Sequence, residues 1–204
     1  KPRVLGTGAS GEVDIMFVSE SPSSWSASNK EVFYGRGGRV IRDTWKKILH
    51  LDDTTGRKMH VRKLRKFDTY AVQGQVEEGR EAVTASASTI TRCSNYLRRA
   101  IAQKKPKVVV VFGATALKAT GYKTEKFTEA RGRVIDFAIK EHAFKIVPTF
   151  STKHLMAKTG LYNLFYNDFI HAVRLATGVD EALKQMTIEE ITANYRIPKT
   201  VDAA

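Results

Sequence analysis

Short apolar runs alternate along the chain with segments of helical periodicity. Residues 13–19 (VDIMFVS) and 107–112 (KVVVVF) are nearly continuous apolar runs, which is typical of strands buried on both faces of a sheet. Residues 88–104 repeat apolar side chains at helical spacing and end before Pro106. Further strands are predicted at residues 67–72, 133–137 and 144–148, and further helices at residues 38–51, 113–121 and 161–177.

This alternation predicts the fold class. Strands separated by helices form a mostly parallel sheet with helices on both faces, because each parallel connection must cross back over the sheet. We therefore expect an α/β fold, a three-layer α/β/α sandwich, in one domain over residues 1–178. Residues 179–204 are predicted to be a tail or linker, partly helical at 188–194.

The same fold predicts where a ligand would bind. In open parallel sheets, ligands bind beyond the carboxyl ends of the strands. We therefore expect one cleft between the loops that follow Ser19, Val72, Phe112 and Phe150, the last of them a loop over residues 150–159.

Charge indicates the kind of partner. The chain has 34 Lys and Arg against 21 Asp and Glu, a net charge of +13. Such an excess attracts polyanions. The basic residues are spread over many segments, including the run HVRKLRK at 60–66, whereas a membrane-surface protein would concentrate them on an amphipathic helix. No apolar run approaches the about 18 residues needed to span a bilayer. We expect DNA or RNA as the partner and no membrane.

Cysteine and glycine usage narrows the chemistry further. A single cysteine, Cys93, excludes an internal disulfide framework, and the first residues show no export pattern, so an intracellular location is expected. The glycine-rich segment GTGASG at 6–11 precedes the first strand, whereas a dinucleotide fingerprint follows it. The spacing of His60, His142 and His171 suggests no metal site.

Several motifs occur together in a familiar order. They are DIMFVSESPSSWSASNKEVFYGRGG at 14–38, TRCSNYLRRAIAQKKPKVVVVFGATAL at 91–117, and RGRVIDF with FKIVPTFSTKHLM between 131 and 156. Together they resemble the uracil-DNA glycosylase superfamily, most closely its family 4 type, over roughly residues 4–176. Glu20, Pro22, Phe33, Gly35 and Gly38 match the first family motif, which reads G-E-A-P-G followed by F-x-G-x-x-G.

The resemblance implies an enzyme that extrudes a nucleotide into a pocket and hydrolyses the bond between base and sugar. It also implies DNA as the partner and suggests an association with a DNA polymerase or another replication protein. The residues it assigns are Glu20, Ser21 and His154 for catalysis, Phe33, Tyr70 and Ser151 for the base, and Ser23, Ser24, Arg36 and Lys153 for DNA.

Four motif features depart from the family pattern. Ser21 stands where relatives carry alanine, aspartate, asparagine or glutamine, and a serine orients a water without taking its proton. Tyr70 stands where many relatives have the asparagine that reads uracil. Ser151 occupies the histidine position, with His154 three residues further on. Family 4 members hold an iron–sulfur cluster on four cysteines, whereas this chain has only Cys93, interpreted here as a core residue; we expect no cluster, cofactor or metal.

These departures leave two hypotheses open. The chain is either a glycosylase for uracil or a modified pyrimidine, or a DNA-binding accessory domain that has lost catalysis. Trp25 and Tyr34 in the first loop are candidates for stacking against bases, with ordinary packing as the alternative.

Overall fold

A computed structural model describes residues 3–48, 64–74, 77–78, 81–82, 85–124 and 126–178. The predicted tail at 179–204 with its helical segment, the last residues of the helix predicted at 38–51, and the first part of the basic run at 60–66 lie outside the described residues.

The described elements alternate as the sequence pattern predicts. The strands are β1 (Thr7–Gly8), β2 (Ile15–Ser19), β3 (Lys66–Tyr70), β4 (Glu77–Glu78), β5 (Glu81–Ala82), β6 (Val108–Phe112), β7 (Ile135–Ile139) and β8 (His142–Thr149). The helices are α1 (Ser24–Asn29), α2 (Gly35–Ile48), α3 (Ala87–Lys104), α4 (Ala114–Thr120), α5 (Phe127–Ala130), α6 (Thr152–Ala157) and α7 (Tyr162–Thr177). All five predicted strands and all four predicted helices are present, with boundaries that shift by up to three residues.

Six strands form one sheet in the order β1-β3-β2-β6-β8-β7. The central neighbours β3, β2, β6 and β8 run parallel to one another, and β1 and β7 are antiparallel edge strands. β4 and β5 form a separate two-stranded antiparallel sheet. The expectation of a mostly parallel α/β sheet is therefore confirmed.

Side chains of the central strands alternate between two apolar layers. Ile15 and Phe17 of β2 belong to a core cluster with side chains of α2 and α7, whereas Met16 and Val18 belong to a second cluster with side chains of α3 and α4. All four are fully buried. Strands buried on both faces need no polar positions, which explains the continuous apolar runs. The three layers are thus helices, sheet and helices.

Helix ends follow local chemistry. Ser86 caps α3 by accepting a hydrogen bond from the Thr89 N–H, and Lys105 ends it in the left-handed conformation. α7 ends at Gly178, whose φ of 72° suits glycine.

Two predictions about helices were wrong. Residues 150–159 are not a plain loop, because Ser151 caps a short helix, α6, by accepting a hydrogen bond from the His154 N–H. Cys93 is not a core residue but is half-buried, since the fully buried side chains of α3 begin at Leu97, one turn later.

Candidate functional site

A cavity of about 280 Å³ opens at the carboxyl ends of the parallel strands. Its walls come from the segments that follow β2, β3, β6 and β8, and from the first turns of α2. The predicted cleft is therefore present. The lining residues are Ser19, Glu20, Ser21, Pro22, Ser23, Phe33, Tyr34, Gly37, Gly38, Ile41, Tyr70, Ala85, Thr115, Ser151, Thr152, Lys153 and Met156.

Phe33 forms an apolar part of this wall and is held in an unusual conformation. Its side chain is buried, and its φ of 58° lies in the left-handed region that non-glycine residues rarely occupy. The backbone N–H donates a hydrogen bond to the Tyr70 hydroxyl at 2.9 Å, and the carbonyl accepts one from Arg42. A Cβ at Gly38 would lie 1.7 Å from the Phe33 carbonyl oxygen, so only glycine fits there. Tyr70, Arg42 and Gly38 thus fix the position of Phe33.

Tyr70 lines the cavity, but its hydroxyl is bonded to buried groups of the protein itself. Besides accepting from the Phe33 N–H, it donates to the Ser26 Oγ at 3.0 Å. Its ring meets the Phe33 ring edge-on, with 5.5 Å between centroids. Burial raises the pKa of the Tyr70 hydroxyl, so the group stays neutral. Because its one proton is already donated, Tyr70 has no donor left for a base.

Glu20 is the carboxylate of the cavity wall. Its Oε1 accepts a hydrogen bond from the Thr115 N–H, at the start of α4, at 3.1 Å. Gly113 makes room for this contact, since a Cβ there would lie 2.6 Å from the Glu20 carboxyl carbon, and the φ of 96° at Gly113 also favours glycine. Among the described residues that line the cavity, Glu20 is the only acid. Ser21 follows it, half-buried, on the same wall.

The last loop places Ser151, predicted to bind the base, and His154, predicted to be catalytic, differently. Ser151 lines the cavity, and its Oγ accepts from the His154 N–H, which leaves the Ser151 O–H to donate elsewhere. Lys153 also lines the cavity. The His154 side chain is exposed and does not line it, because the turn of α6 directs the imidazole onto the Phe150 ring, with 5.7 Å between centroids. The expectation that His154 joins the other catalytic residues is therefore not met.

The predicted DNA-binding residues of the first loop are separated in the same way. Ser23 lines the cavity and caps α1 by accepting from the Ser26 N–H at 3.2 Å. Ser24 and Arg36 are exposed and lie outside the cavity lining.

Asp168, Arg131 and Thr149 form a hydrogen-bonded ionic network next to the start of the last loop. Asp168 of α7 accepts hydrogen bonds from Arg131, at 3.1 Å, and from the Thr149 hydroxyl, at 2.7 Å. Burial raises the pKa of Asp168, although both of these partners favour the carboxylate. The Arg131 guanidinium also lies over the Phe150 ring, 4.9 Å from its centroid. The network therefore joins α7 to the end of β8, where the last loop begins.

Sequence reasoning missed part of the wall. Thr115, Thr152 and Met156 line the cavity without having been predicted. Thr152 and Met156 belong to α6, and the signal that could have located them was Ser151 as a helix cap.

Neither a membrane span nor a metal centre is found in the described part of the chain. No helix there is long and apolar enough to cross a bilayer. No group of three or more His, Cys, Asp or Glu side chains in the same residues is arranged to hold a metal ion.

Comparison with known families agrees with this geometry. The family model described as the uracil DNA glycosylase superfamily matches residues 5–174. Because that match covers most of the chain, the chain belongs to this superfamily, whose members act on DNA. A search of curated proteins finds no match to the chain. The resemblance seen in the motifs is thus confirmed for the superfamily, while assignment to the family 4 type stays a prediction.

Proposed function

We propose that the protein is a DNA glycosylase that hydrolyses the N-glycosidic bond of uracil or of a modified pyrimidine after flipping the nucleotide. The observation that carries this proposal is the cavity at the strand ends, which combines the aromatic Phe33, one carboxylate and several hydroxyl groups. Such a pocket, apolar on one side with a few polar groups, suits a planar base.

In the proposed reaction, a water oxygen bonds to the sugar C1′ while the bond from C1′ to the base nitrogen breaks. The base leaves with the electron pair. Glu20 orients the water with Ser21, stabilises the positive charge that develops on the sugar, and takes the water proton. Lys153 and the Ser151 O–H stabilise the negative charge on the departing base.

The reaction is tested on oligonucleotides that carry uracil, 5-hydroxymethyluracil or hypoxanthine, treated with alkali and resolved on a gel. Strand breaks are expected with the wild-type protein at uracil or 5-hydroxymethyluracil, whereas hypoxanthine is the purine comparison and should stay intact. Glu20→Gln should lower the rate by about 10²-fold or more, the usual contribution of one acid–base group. Glu129→Gln, which alters an exposed carboxylate on α5 outside the cavity wall, is the matched control and should leave the rate unchanged.

Phe33 needs a more conservative change, because it is part of the core. Phe33→Leu keeps an apolar side chain there but removes the aromatic face. Phe33→Leu should excise the base more slowly than the wild-type protein. Its circular dichroism spectrum should equal that of the wild-type protein, which shows that the fold is kept.

Two observations favour a second candidate function, a DNA-binding accessory domain without catalysis. The Tyr70 proton is committed to Ser26, and the His154 ring lies outside the cavity, so two groups expected to serve the base are engaged elsewhere. This candidate predicts tight, salt-sensitive DNA binding with no abasic product from any of the three bases.

The proposed partner is DNA in either case. A net charge of +13 supports this, because neutralising phosphates releases counterions. The accessory candidate would place the protein inside cells, beside a DNA polymerase or another replication protein. Co-purification with such a protein under low salt would test that association.

A further inference from the structure

Two exposed aromatic side chains lie beside the mouth of the cavity. Trp25 is 65% exposed and Tyr34 is 38% exposed. Tyr34 lines the cavity. Trp25 packs against Gly35, the residue that follows Tyr34, since a Cβ added at Gly35 would lie 3.1 Å from the Trp25 Cβ. We call Trp25 and Tyr34 the aromatic shelf.

The backbone under the aromatic shelf is fixed by hydrogen bonds. Trp25 lies in α1, which Ser23 caps, and its carbonyl accepts from the Asn29 side chain at 2.8 Å. The Tyr34 carbonyl accepts from the buried Ser26 hydroxyl at 2.9 Å. The exposure of the two rings is therefore a property of an ordered segment.

Neither ring of the shelf has an aromatic or cationic partner within the described ranges of the chain. The other tryptophan, Trp45, packs against Phe17 and Phe169, with centroids 5.4 and 6.4 Å away. A single exposed aromatic residue is ordinary, but two of them beside the mouth of one cavity offer apolar ring faces to a ligand that enters it. The shelf thus exposes two aromatic rings on a hydrogen-bonded backbone, without a ring or cation partner among the described residues.

We propose that the aromatic shelf stacks the base next to the nucleotide held in the cavity, and that the protein therefore prefers single-stranded DNA. This proposal rests on the proposed function, since the same strand occupies the cavity and the shelf. In a duplex both faces of a base are covered by its neighbours, whereas an unpaired base offers a face to an aromatic side chain. Positive charge suited to the strand's phosphates lies close by, on the exposed Arg36 two residues after Tyr34 and on Lys153 in the cavity wall.

Binding to unmodified DNA tests the shelf without any chemistry. The probe is an oligonucleotide of about 15 thymidines, long enough for one domain, compared with a blunt duplex of equal length. Trp25→Leu should weaken binding to the single strand about tenfold, the usual effect of one base–aromatic stack, and weaken binding to the duplex by less than about twofold. Leu164→Ala removes an apolar side chain on α7 that is 44% exposed and is the matched control, with both affinities unchanged.

Two further readouts separate stacking from a change in charge or in fold. The chain contains two tryptophans, Trp25 and Trp45, so the fluorescence of Trp25→Leu comes from Trp45 alone. Thymidine strands should quench the fluorescence of the wild-type protein and leave that of Trp25→Leu unchanged. The slope of log K against log salt should stay the same in Trp25→Leu, because the phosphate contacts remain.

Equal affinity of wild-type and Trp25→Leu proteins for the single strand would overturn the proposal, as would an equal loss on single strand and duplex. The outcome is separable from the proposed reaction. Thymidine binding through Trp25 with no abasic product from altered bases contradicts the glycosylase alone. Excision that continues while Trp25→Leu binds normally contradicts the shelf alone.

Discussion

The hydroxyl of Tyr70 holds the cavity wall in place, and Tyr70→Phe removes that group alone. In the wild-type protein this hydroxyl accepts from the Phe33 N–H at 2.9 Å and donates to the Ser26 Oγ at 3.0 Å. The substitution leaves the buried N–H without a partner, which costs about 1–3 kcal/mol. The left-handed conformation of Phe33, itself unfavourable by about 1–2 kcal/mol, also loses a restraint. We expect the free energy of unfolding to fall by about 2 kcal/mol.

Urea denaturation followed by circular dichroism measures this loss. With a slope of about 2 kcal/mol per M urea, the midpoint should move down by about 1 M. The matched control is Tyr122→Phe, because the Tyr122 ring also packs on a phenylalanine, Phe137, while its hydroxyl makes no hydrogen bond in the described part of the chain. That control should change stability by less than about 0.5 kcal/mol.

The pH dependence adds a check on the same group. Burial raises the pKa of Tyr70, so its stabilising effect is complete below the unfolded-state pKa of about 10 and is lost only as the pH rises above that value. The difference between wild-type and Tyr70→Phe proteins should therefore stay constant from pH 6 to pH 9. Coincident unfolding curves for the two proteins would refute the role assigned to the hydroxyl.

Three further predictions concern the surrounding framework. Arg131→Met should destabilise the protein by about 2–3 kcal/mol at pH 7, because it leaves the buried Asp168 carboxylate without its cation. Burial already raises the pKa of Asp168, so this carboxyl takes up a proton as the pH falls, and the loss of stability should shrink toward pH 5. Gly38→Ala should cost about 3 kcal/mol in urea unfolding through its backbone clash, whereas Gly160→Ala, with nothing within 4 Å of the added Cβ, should cost less than about 0.5 kcal/mol. Asp14→Asn should reduce stability at pH 7, because partial burial raises the pKa of Asp14 but the Lys107 ammonium and the Arg65 backbone N–H bonded to it lower the pKa overall; the difference from the wild-type protein should stay complete down to about pH 4 and disappear only as the pH falls through the lowered folded-state pKa.

The central sheet was predictable because its signal is local. β2 and β6 are buried on both faces, so apolar runs such as VVVVF identify them without any knowledge of their neighbours. The position of the cavity followed from the same alternation, since parallel strands bring their carboxyl ends to one edge.

The inner geometry of the site was not predictable, because it depends on contacts between distant residues. The Tyr70 hydroxyl is bonded to groups 44 and 37 positions away, on Ser26 and Phe33, and no local pattern records such a pairing. The orientation of His154 depended on whether residues 150–159 form a loop or a helix, and the cap on Ser151 decided it.

Superfamily membership and the reaction depend on different evidence. The match over residues 5–174 concerns the sequence of the domain as a whole, and it holds although Ser21, Tyr70 and Ser151 depart from the family pattern. The chemistry depends on whether a base enters the cavity and meets Glu20.

Entry of a base into the cavity is the claim on which the account depends most. It is tested by a duplex that carries 2-aminopurine in the strand opposite a uracil, because the fluorescence of 2-aminopurine rises when its pairing partner leaves the helix. Entry of a base predicts a rise on binding to the wild-type protein and none on binding to Ser21→Tyr, whose larger side chain fills part of the cavity, with DNA affinities that agree within a few-fold. An equal rise with both proteins, or no rise with the wild-type protein at saturating concentration, would contradict it.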